Sequence, residues 1–207
     1  MSIAQRTTPP RRRRRTPESA EREILEAAES FLSERPFRDL SVDEVMSRTT
    51  LSRPSFYVYF RDRHQLLVRL VEGIGGELFE AASVWLAGEG EIRESLARLV
   101  PTYAEHGLVL SAIADAAGHD PQAERTYHGL LDRFVDATAR RVERDVEAGR
   151  SPPLDAPETA RALVWMTERY LKETLGRRPQ ADVDTSVAAL ACIWERALYG
   201  REASKRA

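Results

Sequence analysis

The feature that most constrains this chain is a helix-start signature in the segment LSVDEVM, residues 40–46. Ser41 and Glu44 have the S-x-x-E spacing of a capping box, in which both side chains accept backbone N–H groups of the first helical turn. Leu40 and Val45 stand where a hydrophobic staple would pair them across that turn. The pattern predicts a short helix beginning at Ser41.

A second helix start follows almost at once, in SRPSFYVYF, residues 52–60. Ser52 suits the N-cap, and Leu51 and Phe56 have the spacing of another hydrophobic staple. Pro54 argues against a central strand but is tolerated in the first turn of a helix, where its missing N–H is not needed. The sequence therefore predicts two short helices joined by a tight turn, a helix-turn-helix.

The second helix of this unit has two faces. Phe56 and Phe60, at positions i and i+4, are predicted to face the core, whereas Arg53 and Tyr57 form a separate ridge with the same spacing. Arginine can donate two hydrogen bonds to guanine O6 and N7, and a tyrosine ring can pack on a thymine methyl group. The ridge is therefore predicted to read bases. Phosphate contacts are expected from the N-terminus of the helix that starts at Ser41 and from the side chains of Ser55, Tyr59 and Arg63.

The remaining sequence predicts an all-α protein of about nine helices. A helix is expected to begin at Pro17 after an N-cap at Thr16, and a long helix, softened at the glycine pair 75–76, follows Phe60. Further helices are predicted at about 91–106, 109–118, 121–148, 157–175 and 183–200, separated by Gly- and Pro-containing segments. No alternating strand pattern of convincing length occurs.

Charge is distributed unevenly along the chain. The net charge is -2, but residues 1–70 contain 14 arginines against 10 carboxylates, and the rest contains 17 basic and 23 acidic residues. A polyanion is therefore expected to meet the front of the chain only. The Arg11–Arg15 run lies in a tail predicted to be disordered, and it either contacts DNA, by entering a minor groove or screening phosphates, or is solvated without a defined contact.

The sequence also bears on where the protein works. No apolar stretch approaches the ~18 residues of a membrane-spanning helix, and no apolar segment of a secretory signal follows the N-terminal arginines. The single cysteine, Cys192, lies in an apolar run and suits a buried position in a reducing compartment. A cytoplasmic protein without a membrane partner is expected.

Two other classes of function are alternatives to DNA binding. An enzyme is disfavoured because the chain contains no G-x-S-x-G, no Gly-rich phosphate loop and no Cys/His pair in a useful context. Asp115 and His119 have i, i+4 spacing, but a surface pair is the simpler interpretation, so neither a metal site nor a cofactor is predicted. A helical ligand- or partner-binding protein without DNA contact remains the alternative, against which the Arg53/Tyr57 ridge and the basic front speak.

The segment LSVDEVMSRTTLSRPSFYVYFRDRHQLL resembles the DNA-binding domain of the TetR/AcrR family of bacterial regulators, over about residues 18–67. Matching features are Ser41 at the second helix, then Tyr57, Tyr59 and Phe60 at the end of the third, and RHQLL at the start of the fourth. MTERYL (166–171) and IWERALYG (193–200) are similar to the EthR-like subgroup. Two departures are Thr50, where the family usually has a turn glycine, and RH (63–64), where it usually has Lys-Glu.

Composition and the resemblance together predict four segments: a disordered Arg-rich tail (1–16), a DNA-binding domain (17–64), a ligand-binding and dimerisation domain (65–200) and a second tail (201–207). The resemblance implies a homodimeric repressor that binds a palindromic double-stranded operator in the nucleoid and is released by a small lipophilic effector. The implied DNA-binding residues are Ser41, Ser52, Arg53, Pro54, Ser55, Tyr57, Tyr59 and Arg63, of which Arg53, Pro54 and Tyr57 fall on base-reading positions.

The resemblance also implies an apolar pocket and a dimer interface in the rear half. The pocket candidates are Leu99, Tyr103, Phe134, Thr138, Met166, Thr167, Tyr170 and Trp194. The dimer candidates are the last two long helices, ALVWMTERYL and VAALACIWERALYG. Each pocket candidate taken singly could equally be ordinary core.

Overall fold

The computed structural model describes residues 16–200, so the predicted tails, except for Thr16, lie outside the described residues. The described part is entirely helical and contains no strand. Its elements are α1 (Pro17–Leu32), a 3-10 helix (Phe37–Asp39), α2 (Val42–Ser47), α3 (Arg53–Tyr59), α4 (Arg63–Ala87), α5 (Ile92–Ala117), α6 (Pro121–Glu147), α7 (Ala156–Leu175) and α8 (Val183–Tyr199).

The predicted helix starts at the front are confirmed. Thr16 caps α1, and the Ser41 hydroxyl accepts the backbone N–H of Glu44 at 3.2 Å. The Glu44 carboxylate lies 3.5 Å from the Arg35 guanidinium. Ser52 holds the N-cap position of α3, but its hydroxyl lies 2.9 Å from that of Ser55 and makes no capping bond.

The separation predicted between helices at 91–106 and 109–118 is wrong, because α5 runs unbroken through both. The glycine that suggested a break, Gly107, serves close packing instead. A Cβ at this position would lie 2.3 Å from the carbonyl oxygen of Leu175, at the end of α7. The count is therefore eight α-helices in residues 16–200 rather than about nine.

The same explanation holds for the glycine pair in α4. The helix passes through Gly75 and Gly76 without interruption. A Cβ on Gly75 would lie 2.6 Å from Cδ1 of Leu130, so the glycine allows α6 to approach α4. A glycine within a helix is costly by about 0.5–1 kcal/mol, and here the cost is offset by close helix packing.

The helices form a front unit, α1 to α3 with the start of α4, and a rear bundle, α4 to α8. Phe31, Phe56 and Phe60 fill the front core, and α4 continues from there into the bundle. The predicted boundary at residue 64 thus falls in the first turn of α4. No helix within residues 16–200 has the length and apolar character needed to cross a membrane.

One polar contact joins the two units beside that boundary. His64 Nε2, at the start of α4, lies 2.8 Å from Oδ2 of Asp120, the N-cap of α6. The other carboxylate oxygen of Asp120 accepts the backbone N–H groups of Gln122 and Ala123 at 2.9 and 3.1 Å. The hydrogen bond from His64, aided by these backbone bonds, lowers the pKa of Asp120 to about 2. A charged carboxylate therefore caps α6 and holds the front unit.

Candidate DNA-binding surface and internal cavity

The inward face of α3 is the anchor of this helix. Phe56 and Phe60 are fully buried, as predicted, and their ring centroids are 5.4 Å apart. Tyr59 is half-buried against the same core, with its ring 6.5 Å from that of Phe60. A helix of two turns has little stability of its own, so these aromatic contacts fix its orientation.

The outward face of α3 is open to solvent. Tyr57 is 52% exposed, and the side chain of Arg53 is 58% exposed, with its guanidinium 5.8 Å from the Tyr57 ring centroid. Pro54 is exposed beside them. The described rear bundle therefore leaves the predicted ridge uncovered.

Val58 belongs to the same open surface and was missed in the sequence analysis. At 75% it is the most exposed of the large hydrophobic residues that the structure describes. Its position, i+4 from Pro54, was the available signal. An exposed β-branched side chain next to Tyr57 gives the surface an apolar spot suited to a thymine methyl group.

Arg53 has a protein partner within the helix-turn-helix. Its Nε donates a short hydrogen bond to Oδ1 of Asp43, on α2. That bond, with the charge of Asp43, raises the pKa of Arg53 further above its ordinary value. Asp43 is itself exposed, so the pair lies at the surface and can exchange with a base edge at small cost.

The turn between α2 and α3 accommodates Thr50 without the expected strain. No non-glycine residue among those described has a positive φ. Instead, the backbone N–H and the hydroxyl of Thr50 both donate to Oε1 of Glu23, on α1, at 2.5 and 2.6 Å. A side-chain contact to the neighbouring helix thus replaces the glycine conformation typical of the family.

Arg63, predicted to contact phosphate, is directed toward the start of α2. Its Nη1 lies 3.4 and 3.3 Å from the carbonyl oxygens of Arg38 and Leu40, and its guanidinium is 5.1 Å from the Phe37 ring centroid. Arg63 is half-buried, and it holds the loop before α2 against α4. Any phosphate contact would therefore lie beside Ser41.

The second candidate site is a cavity of about 90 Å³ inside the rear bundle. Helices α4 to α8 all contribute to its walls, which are mostly apolar and aromatic. Lining residues are Leu78, Ala82, Trp85, Leu86, Ile92, Ser95, Leu96, Leu99, Tyr103, Leu110, Tyr127, Leu130, Leu131, Phe134, Thr138, Val164, Thr167, Glu168, Leu171 and Trp194.

The structure brings six of the eight predicted pocket residues to this cavity: Leu99, Tyr103, Phe134, Thr138, Thr167 and Trp194. Met166 and Tyr170 do not line it. At 3.6 residues per turn, Val164, Thr167 and Leu171 share one face of α7, and Met166 and Tyr170 lie roughly 90–130° around the helix from that face. These two residues are half-buried there.

The indole N–H groups at the cavity are satisfied by protein partners. Trp194 Nε1 donates to the Thr167 hydroxyl at 2.8 Å, and Trp85 Nε1 lies 3.2 Å from the Tyr199 hydroxyl. The two indole rings meet edge to face, with centroids 5.7 Å apart. Their apolar surfaces therefore face the cavity without a free indole donor.

Besides the two threonines and the two tryptophans, four polar side chains line the cavity: Ser95, Tyr103, Tyr127 and Glu168. The Tyr127 hydroxyl donates a short hydrogen bond to Oε1 of Glu168. The Ser95 and Tyr103 hydroxyls are buried and have no hydrogen-bond partner among the described residues. Burial, with the charge of Glu168, raises the pKa values of both tyrosines well above the ordinary value, so both phenols are neutral. Of these four residues only Tyr103 was predicted to line a pocket, since no local pattern marks Ser95, Tyr127 or Glu168.

A buried ion pair lies close to the tryptophan end of the cavity. Arg141 Nε donates to Asp145 Oδ2 at 2.8 Å, and Arg150 and Tyr199 bond the same carboxylate at 2.6 and 2.9 Å. Burial alone would raise the pKa of Asp145, but these hydrogen bonds bring it below its ordinary value. Arg141 also donates to the carbonyl oxygen of Trp85, so the network joins α4, α6 and α8.

Chemistry of other kinds finds little support in the described residues. No group of three or more His, Cys, Asp or Glu side chains in residues 16–200 is arranged to hold a metal ion. Asp115, considered with His119 in the sequence analysis, instead bonds Lys172, whose Nζ lies 2.8 Å from its Oδ1.

Two family models match separate parts of the chain. Residues 24–70 match the family model of bacterial regulatory proteins of the tetR family. Residues 92–200 match the C-terminal domain of the transcriptional regulator EthR.

Individual proteins resemble the chain along nearly its whole length. The HTH-type transcriptional regulator EthR of Mycolicibacterium smegmatis is 28% identical over 210 residues, covering 97% of each chain. EthR of Mycobacterium tuberculosis H37Rv is 28% identical over 209 residues, covering 96% of this chain and 97% of its own. A putative TetR-family regulator from Syntrophomonas wolfei shares the fold, with a TM-score of 0.74 at 14% identity over 87% of this chain and 95% of its own.

Proposed function

This chain belongs to the TetR family of bacterial DNA-binding transcriptional regulators, with an EthR-like C-terminal domain, and from that premise we propose that it is a ligand-released repressor. Regulators of this family are not enzymes, and the alternative of a protein without DNA contact is set aside on the same ground. The observation that carries the proposal is the division of α3 into a buried aromatic face and an exposed Arg53/Tyr57/Val58 face.

In the proposed complex, α3 lies in the major groove. Arg53 exchanges Asp43 for the O6 and N7 atoms of a guanine, and Tyr57 and Pro54 contact neighbouring base edges. The polar residues around them fix the register on the phosphate backbone without reading sequence. The residues proposed for this role are Ser41, Ser52, Ser55, Tyr59 and Arg63.

The operator is proposed to be palindromic because the protein is proposed to act as a twofold dimer. Helices α7 and α8 supply the interface. Ile193 of α8 is 45% exposed and is proposed to lie in that interface. Met166 and Tyr170, which do not line the cavity, are proposed to extend that apolar surface.

The cavity is proposed to hold the effector. Its volume of about 90 Å³ is below the ~150 Å³ of an engineered apolar cavity that binds benzene, so a larger lipophilic ligand must widen it. Widening moves helices that also reach the front, through α4 and the His64–Asp120 contact. A ligand that binds the widened state better lowers operator affinity by a coupling of ~1–3 kcal/mol, or about 5–150-fold.

Selection of bound fragments from the genomic DNA of the source bacterium tests the proposal. The purified protein is expected to enrich one palindromic sequence near a promoter, and an extract of lipophilic metabolites is expected to release it. Enrichment of no sequence over bulk DNA at low ionic strength would contradict operator binding. The proposed location is the bacterial cytoplasm, on the nucleoid while DNA is bound.

A further inference from the structure

The polar side chains of the cavity indicate which chemical class of effector it prefers. This inference rests on the proposed function of the cavity as the effector site. Of the described residues that line the cavity, Glu168 alone has an acidic side chain, and none is Lys, Arg or His. A mostly apolar chamber with a single carboxylate has an electrostatic preference before any ligand enters it.

The Glu168 carboxylate has no cation paired with it in the described part of the chain. The nearest candidate along α7 is Lys172, one turn further on. Its ammonium group is already used, since Nζ lies 2.8 Å from Asp115 Oδ1. Among the described residues, only the Tyr127 hydroxyl is hydrogen-bonded to Glu168, and it supplies no compensating positive charge. Glu168 is half-buried, and on its cavity side the carboxylate meets apolar walls without a counter-charge, which is costly.

Tyr103 adds an unsatisfied atom in the same neighbourhood. Its side chain is buried, with 6% of the residue exposed, and its hydroxyl has no described hydrogen-bond partner. Tyr103 and Glu168 both line the cavity, and the charge of Glu168 adds to the burial that raises the pKa of Tyr103. A phenol oxygen can accept as well as donate, so Tyr127, whose O–H donates a hydrogen bond to Glu168, can also accept one.

The acceptors at this end of the cavity therefore outnumber the donors. The Glu168 carboxylate accepts only, the Tyr127 oxygen is left as an acceptor, and the Tyr103 hydroxyl is free to accept. Both indole N–H groups of the lining are occupied by Thr167 and Tyr199. A ligand that brings several N–H donors and a positive charge would satisfy this set, whereas a carboxylate would be repelled.

We propose that the cavity binds a small lipophilic amine in its protonated form, with the ammonium group between Glu168, Tyr103 and Tyr127 and the apolar body against the tryptophans. Ser95 is not part of this polar end. It lies eight residues from Tyr103 on α5, about two turns or 12 Å along the helix. Ser95 therefore provides a matched control within the same cavity.

Three probes of equal length test the preference on the full-length protein without DNA: butylammonium, 1-butanol and butanoate at pH 7. Calorimetry gives the dissociation constants, and tryptophan fluorescence reports cavity occupancy because Trp85 and Trp194 line it. Butylammonium is expected to bind about 10–100-fold more tightly than 1-butanol, as for a hydrogen bond to a charged group, and butanoate is expected to bind most weakly.

Variants then locate the preference. Glu168→Gln keeps an acceptor for Tyr127 and should remove about 10-fold or more of the butylammonium affinity, while that of 1-butanol stays unchanged. Tyr103→Phe should cost about 2–10-fold, and Ser95→Ala should leave the order of the three probes as it is. Circular dichroism melting confirms that each variant is folded.

The result that overturns the inference is equal or tighter binding of 1-butanol or butanoate by the unaltered protein, or a Glu168→Gln variant that binds butylammonium as well as before. Binding of none of the probes overturns it too. Operator release is measured separately. If 1-butanol binds as well as butylammonium and releases DNA, the amine preference fails and the repressor proposal stands. If butylammonium binds selectively but the protein retains no operator, the repressor proposal fails and the amine site stands.

Discussion

The outward face of α3 is exposed to solvent, whereas the cavity lies inside the rear bundle. The α3 surface consists of exposed side chains on a two-turn helix. Both side chains of its ion pair, Arg53–Asp43, are exposed to solvent. The cavity is enclosed by five long helices, and the ion pair next to it, Arg141–Asp145, is almost completely buried.

This difference explains what each region can do. An exposed ion pair contributes about 0–1 kcal/mol, so Arg53 can leave Asp43 for a base at little cost. A buried pair is held by low dielectric and by further hydrogen bonds, and removing one partner is expensive. The front is thus suited to exchanging partners, and the rear to keeping its walls in place around a small space.

The largest expected effect is the difference in unfolding free energy between variants of these two ion pairs. Asp145→Asn leaves Arg141 buried without a counter-charge and is expected to lower the free energy of unfolding by about 3–5 kcal/mol. Asp43→Asn, the matched change at the surface pair, should lower it by no more than about 1 kcal/mol. Urea denaturation of both variants measures the contrast, and equal losses would show that burial does not distinguish the pairs.

A smaller effect is expected where helices approach each other in the rear bundle. Gly107→Ala forces a Cβ against the Leu175 carbonyl oxygen and should destabilise the protein by about 1–3 kcal/mol. Gly73→Ala in α4 meets no atom within 4 Å and should stabilise by up to about 1 kcal/mol. Thermal and urea unfolding give both values. Stabilisation by both substitutions would mean that α5 and α7 are not packed as described.

The smallest expected effect lies at the contact between the two regions and depends on pH. The pKa of Asp120 is about 2 in the folded protein, below its ordinary 3.8, so its contribution to stability is present above about pH 4. This contribution is lost as the pH falls from about 4 toward 2. His64→Asn removes the largest cause of the shift and should make the decline of unfolding free energy over this range shallower.

A neighbouring histidine provides the control for this pH series. His119→Asn changes a residue adjacent in sequence that makes no hydrogen bond to the Asp120 carboxylate, and it should keep the slope of the unaltered protein. If unfolding free energy declines with falling pH as steeply in His64→Asn as in the unaltered protein, the contact with His64 does not lower the pKa of Asp120.

The same contrast explains how much could be predicted from sequence. Caps, staples and i, i+4 spacing act within a few residues, and they located Ser41, Ser52 and the two faces of α3. Gly107 was misinterpreted because its reason lies in Leu175, far along the chain. Met166 and Tyr170 were proposed for the pocket on residue type, but the face that α7 turns to the cavity is decided by packing.

The polar residues of the cavity were the hardest part of the site to predict from sequence. Ser95, Tyr127 and Glu168 come from three helices and share no local pattern, so only the folded bundle brings them into one lining. Asp43 is similar on a smaller scale, since its pairing with Arg53 joins α2 to α3 across the turn. The exposure of Val58, by contrast, could have been predicted from helical spacing, because Val58 lies four residues after Pro54.

The most direct test of the central claim, that the exposed ridge of α3 reads bases, compares Arg53→Ala on two duplexes at one salt concentration. The enriched operator should lose about 1–3 kcal/mol of binding free energy, whereas a random duplex of equal length should lose much less, because only the operator presents the guanine edge to Arg53. Equal losses on both duplexes would show that Arg53 acts through phosphate charge and would contradict the account.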